Sequence, residues 1–191
     1  RFRGVTGVQT CALPISVYGD QKVSCAFKGL DENYQEIETP ELYYGRYLNN
    51  LDNLQKRKVC ILGKKVYKTL FPKGGNPCGK EIRVGSVFFK VVGVDYNSGT
   101  MNANGSTEES VVVPIGVMRD AYAMGDTINM LCFTGKPGIK VSDIVSKVRT
   151  VVARAHHLDP TDEKAMPVIN VEAMFGMMDS LFKGVDRKST R

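Results

Sequence analysis

Several groups of residues have types and spacings that would carry chemistry. Gly74 to Lys80 fits G-x-x-x-x-G-K, the spacing of a phosphate-binding loop. Such a loop needs a strand before it, a helix behind it and Ser or Thr after the lysine, so that helix amides meet phosphate and a hydroxyl meets magnesium. Here a helical pattern precedes and a strand pattern follows, Glu81 replaces the hydroxyl, and Pro77 removes an amide, so the run reads as a turn. His156 and His157 are the only histidines. Adjacent helical residues diverge by about 100°, so the pair cannot grip one metal from one face. Asp159, Asp162 and Glu163 share a loop but lack the glycine and alternating ligands of a calcium loop. Ser16, Ser24 and Ser98 lack a nucleophile-elbow context. No C-x-x-C pair exists, and Cys25, Cys60 and Cys132 lie in apolar runs that suit core positions. Sequence supplies no pairing for Cys25, Cys60, Cys78 and Cys132. No residue is assigned a catalytic, cofactor-binding or metal-binding role, no cofactor is expected, and the chain is expected to be non-catalytic.

The elements that would position these residues are clearest between Lys56 and Val94. Lys58 to Leu62 is a β-branched run that predicts a buried strand. Lys64 to Phe71 places Val66, Tyr67, Leu70 and Phe71 at helical spacing, and Pro72 stops the helix. Lys73 to Gly79 is turn chemistry. Glu81 to Val84 and Val87 to Val94 predict a hairpin about Gly85-Ser86. Upstream, Lys22 to Phe27 predicts a strand with Val23, Cys25 and Phe27 on one face. Asp31 caps a helical turn, and Asn49 to Gln55 reads as a polar connection. Downstream come a loop at Asp95 to Glu109, a strand at Val111 to Ile115, a short helix at Val117 to Ala123 and a strand at Ile128 to Thr134. Lys140 to His157 predicts the best helix, with Ser142 as its cap. A strand follows at Met166 to Val171, then a Met-rich helix at Glu172 to Phe182. On that helix Phe175, Met177, Met178 and Phe182 are read as core packing on the approach to a membrane helix, ahead of a partner surface.

This order of motifs resembles the MacB-like periplasmic core domain of ABC-transporter permeases (MacB/FtsX-like). The resemblance rests on Val59-Cys60-Ile61-Leu62-Gly63, Leu70-Phe71, the Asn76 to Gly85 turn and strand, and Phe89 to Val94. Leu42, Gly45, Arg46 and Leu48, the Asn33 to Ile37 run and the Val111 to Ile115 strand match more loosely. Cys78, where the family has an aliphatic residue, and Lys90 depart from the pattern. The resemblance implies an α+β fold with two lobes: a mixed α/β lobe, and an inserted β-rich lobe near 57–134. It implies an extracytoplasmic domain at the bacterial inner membrane, held between two transmembrane helices missing from this fragment. It further implies mechanotransmission, in which ATP-driven membrane motion is coupled to export or extraction of a substrate. The implied partners are an ABC ATPase subunit, a second permease copy as a dimer, and a periplasmic adaptor or cargo protein. A stand-alone periplasmic binding or adaptor module is the rival reading.

The two ends read differently. Val5 to Ile15 back-translates to a common sequencing-library adapter, and Asp186 to Arg191 to the reverse complement of its end. Residues 1–16 and 186–191 are therefore expected to be adapter-derived, leaving 17–185 as the domain, truncated at both ends and without its first strand. The net charge of +6 rests largely on those ends, which hold five basic residues against Asp186. The remainder carries about +2, which gives no ground for nucleic-acid binding.

Overall fold

The computed structural model describes residues 2–11, 14–97, 105–123 and 127–178. They form two compact units, 2–134 and the chain from Gly135 onward. The first unit runs β1 (Phe2–Cys11), β2 (Ile15–Tyr18), β3 (Gln21–Ser24), β4 (Ala26–Leu30), β5 (Leu42–Gly45), α1 (Asn50–Leu54), β6 (Val59–Gly63), α2 (Lys64–Leu70), β7 (Glu81–Val84), β8 (Val87–Asp95), β9 (Ser110–Pro114), α3 (Ile115–Ala121) and β10 (Met130–Gly135). A short 3₁₀ helix, Glu32–Glu36, is capped by Asp31, whose carboxylate accepts the Asn33 amide.

The strands form one mixed sheet in the order β10-β1-β4-β9-β6-β8-β7-β2-β3, with β5 also on β8. This is the expected α+β class. β4 with β9 and β6 with β8 are parallel, and β6 with β9 is antiparallel. The 57–134 segment, expected as an inserted lobe, contributes β6 to β9 to the same sheet as β1 to β4. The reason is visible in β9: all five of its residues are buried, so it needs neighbours on both edges and cover on both faces.

The strand expected at Lys22 to Phe27 breaks at Cys25. β3 pairs with β2 at one end of the sheet, and β4 pairs with β1 and β9 toward the other. Six strand steps separate β4 from β3 in the sheet order, about 29 Å if the sheet were flat. Only Cys25 lies between them in the chain, a reach of about 7 Å. The sheet must therefore curl. On one face, Phe27, Cys60, Leu62, Phe89 and Val111 pack with Val66, Tyr67 and Leu70 of α2 and with Val117 and Met118 of α3. On the other, Val8, Leu30, Tyr34, Leu48, Val59, Ile61 and Val112 form a second core. The alternation of Cys60 and Leu62 against Val59 and Ile61 is the two-residue period of a strand.

β1 and the first residues of β2, expected to lie outside the fold, take positions in the sheet: Gln9, Thr10 and Cys11 pair with Gly29, Lys28 and Phe27, and Ile15 and Ser16 with Ser24 and Val23. A strand edge offers backbone donors and acceptors that accept nearly any extended partner. Side chains are less forgiving. Gln9 is fully buried, and neither polar atom of its amide has a partner among the described residues.

In the second unit, α4 (Val141–His156) matches the expected helix, but its cap differs. The Glu172 carboxylate, and not Ser142, accepts the Val141 amide at 3.0 Å. Residues 166–170 are not a strand. Arg149 instead holds that stretch by donating to the Met166 carbonyl at 2.9 Å. Asn49 to Gln55, read as a connection, contains α1.

Relieving the orphaned amide gives a test. Gln9→Met keeps the volume and removes two unsatisfied groups, and it should raise the unfolding free energy in urea by about 1–3 kcal/mol. A loss of stability would mean the amide is already satisfied.

Candidate functional site

The sequence motifs that would carry chemistry resolve into structural turns. In 74–80, the Cys78 amide donates to Asn76 Oδ1 (2.9 Å), the Gly79 amide to the Val91 carbonyl (2.8 Å) and the Lys80 amide to the Pro77 carbonyl (3.1 Å). Tyr67 holds the loop by donating to the Gly75 carbonyl at 2.8 Å. Lys80 Nζ lies over the rings of Phe71 and Tyr18, 5.1 and 5.7 Å from their centroids. The Gly74, Cys78, Gly79 and Lys80 amides are thus used within the fold, and α2 precedes the loop where a phosphate cradle needs a helix behind it.

His157 stops α4 in the left-handed region at φ 55°, one residue beyond His156. Asp159 Oδ1 accepts the Thr161 hydroxyl (2.7 Å) and amide (2.8 Å), which hold its carboxyl below the usual range. Asp162 Oδ1 accepts the Lys164 amide at 2.8 Å. Both aspartates shape the loop after α4, and Glu163 lies exposed in it. Ser16 Oγ is 3.1 Å from Cys25 Sγ, both buried. Ser24 is exposed on β3, and Ser98 and Phe182 lie outside the described residues. Cys25, Cys60, Cys78 and Cys132 are free thiols. Burial pushes each of them up, which disfavours the reactive thiolate. Phe175, Met177 and Met178 are exposed, so the expected core packing is not made among the described residues.

The built feature of the first unit is a junction at Gly45-Arg46. β5 lies so close to β8 that a Cβ on Gly45 would fall 2.0 Å from the Val92 carbonyl oxygen, and one on Gly93 2.4 Å from the Arg46 carbonyl oxygen. Gly45 also has φ +73°, so both positions require glycine. A bulge at Tyr43 aims its ring onto Tyr96, with centroids 4.3 Å apart and planes 11° from parallel. Arg46 then reaches Asp52, donating to its two carboxylate oxygens at 2.6 and 3.1 Å. Asp52 closes a reciprocal cap with Asn49 at the start of α1. The Asn49-x-x-Asp52 spacing was the sequence signal for this helix. The Arg46–Asp52 pair joins residues six apart whose contact no local pattern announces.

Asp52 is fully buried. Burial by itself raises its carboxyl, but the Arg46 hydrogen bonds, the Asn49 amide and the charges of Arg46 and Arg57 outweigh it and hold it below the usual range. A carboxyl that titrates lower when folded contributes stability fully present above its unfolded value, about 4, and lost as pH falls through the folded value. Arg46→Ala should therefore cost about 2–3 kcal/mol, less than a fully buried pair because Arg46 is half exposed. It should also flatten the loss of stability below about pH 4. Arg46→Lys should recover only part, since an ammonium cannot bridge both oxygens. Urea unfolding across pH reads all three effects, and an unchanged Arg46→Ala midpoint would contradict them.

Comparison with known proteins places this architecture. The profile of the MacB-like periplasmic core domain matches residues 2–151. The pyoverdine export ATP-binding/permease protein PvdT of Pseudomonas entomophila is 31% identical over 70 residues, 37% of this chain and 11% of that protein. The chain thus spans about a tenth of that relative's length. The periplasmic region of MacB from Actinobacillus actinomycetemcomitans superposes with TM-score 0.72 at 20% identity, over 82% of this chain and 69% of that one. The extracellular domain of the transporter YknZ from Gram-positive bacteria gives 0.71 at 16% identity, over 83% and 79%. Fold, motif order and profile agree: the chain belongs to the MacB-like periplasmic core domain family.

Proposed function

We propose that this chain is the extracytoplasmic domain of an ABC-transporter permease, and that it transmits ATP-driven motion of membrane helices to a substrate outside the inner membrane. The family match across 2–151 carries the reading. The names of the relatives support it, since PvdT is described as a pyoverdine export ATP-binding/permease protein and MacB as a macrolide export one. In this reading the ATPase is a separate subunit or a fused domain, a second permease copy completes a dimer, and an adaptor or cargo meets the outer surface. Transmission of this kind needs a body that moves without deforming. The curled sheet with cores on both faces and the Gly45/Arg46 junction suit that need. The chain's own residues contribute stiffness and surface, and the energy comes from elsewhere. The same reading keeps residues 1–16 and 186–191 as adapter-derived, in line with the Gln9 amide, both of whose polar atoms are buried without a partner among the described residues.

The purified chain should neither bind nor hydrolyse ATP, because the loop at 74–80 follows a helix, leads into β7 and uses four of its amides within the fold. Thermal melting with and without magnesium ATP should give one midpoint, and phosphate release should stay at background. A nucleotide-dependent shift with metal-dependent hydrolysis would contradict the reading.

A further inference from the structure

Lys28 lies in the middle of β4 and is only 3% exposed. A buried ammonium is costly unless opposite charge and hydrogen bonds surround it. Its Nζ donates to the Gly105 carbonyl at 2.9 Å. The carboxylates of Glu38 and Asp95 face it from two other segments and oppose the effect of burial, which pushes the ammonium down. Each carboxylate is a fastening point of its own. Glu38 accepts the Thr107 hydroxyl at 2.8 Å and the Tyr34 hydroxyl at 2.9 Å. Asp95 accepts the Glu41 and Asn97 amides, both at 2.9 Å.

We propose that Lys28 is an internal latch: its ammonium, bonded to Gly105 of segment 105–110, which leads into β9, and attracting Glu38 of segment 34–41, which follows β4, holds both to the sheet as one cooperative unit. Two contacts support the coupling. Glu38 of the first segment holds Thr107 of the second, while the second segment's Gly105 carbonyl sits on the ammonium that Glu38 faces. Removing the cation leaves Glu38 and Asp95 facing each other without compensation, so neither segment can keep its contacts while the other leaves. The sheet beneath has its own ladder and core and does not depend on the latch. The inference is independent of the transport reading, because it concerns only how two segments of this fold are held.

Hydrogen exchange of the whole chain tests it, read at the Glu41 and Ser110 amides, which are hydrogen-bonded to Asp95 and Thr107. In Lys28→Met both should exchange faster together, on the order of tenfold, while β6 and α2 keep their protection. Glu38→Gln, which removes one charge at constant size, should give a smaller rise at the same two places. Loosening of one segment alone, a uniform rise through β6 and α2, or no change would overturn the latch. Should Lys28→Met fail to fold, Glu38→Gln decides by itself: a paired rise supports the proposal and any other pattern overturns it.

Discussion

The first unit depends on one covalent constraint. The chain leaves β3 at one end of the sheet and one residue later continues as β4 near the other. Two strands of one hairpin, β1–β2 against β3–β4, are thereby divided between the two ends. A flat sheet cannot accommodate this, so the sheet curls and its concave side must be filled. Phe27, Phe89, Val111 and Val113 fill it, and the apolar faces of α2 and α3 close it. The same curl brings β5 against the second half of β8, where only glycine backbones approach closely enough.

The two charged devices sit where the sheet alone does not hold the chain. Segment 31–58 packs on the second core through Tyr34 and Leu48, and residues 105–109 are tied to it where the Thr107 hydroxyl donates to Glu38. Lys28 with Glu38 and Asp95 anchors part of both, and Arg46 with Asp52 anchors the turn into α1. Both devices place one charge in the interior and satisfy it from several segments at once. Such groups contribute less to net stability than to the uniqueness of the arrangement, since an apolar replacement would pack but would not choose its partners. In the proposed role, a domain that transmits displacement gains from that property.

Local patterns in the sequence revealed much of this. The buried run at Val59–Gly63, the amphipathic α2, the Glu81–Val84 and Val87–Asp95 hairpin and the long α4 match expectation, because period and turn chemistry are written within a few residues. The broken strand at Cys25 was not visible, since Val23, Cys25 and Phe27 do share one core and only the change of sheet neighbours marks the break. The apolar residues 166–171 mimic a strand, yet no sheet neighbour takes them up among the described residues. The α4 cap from Glu172 and the Lys28 cluster join positions 31 and 77 residues apart, which no window of sequence contains. Gly45-Arg46 was legible as a family motif, while its reason, close approach followed by an ion pair, came from the structure.

The most direct test of the central claim is a long sequencing read across the locus, recovering the codons on either side of Val17 and Val185. The account predicts apolar stretches of about twenty residues flanking the domain, with further spans in the same frame. It also predicts native codons for an aliphatic-rich first strand where Gln9 now lies. A frame that stops in polar sequence soon after Val185, with no apolar span on either side, would contradict the permease reading and leave a soluble module of the same fold.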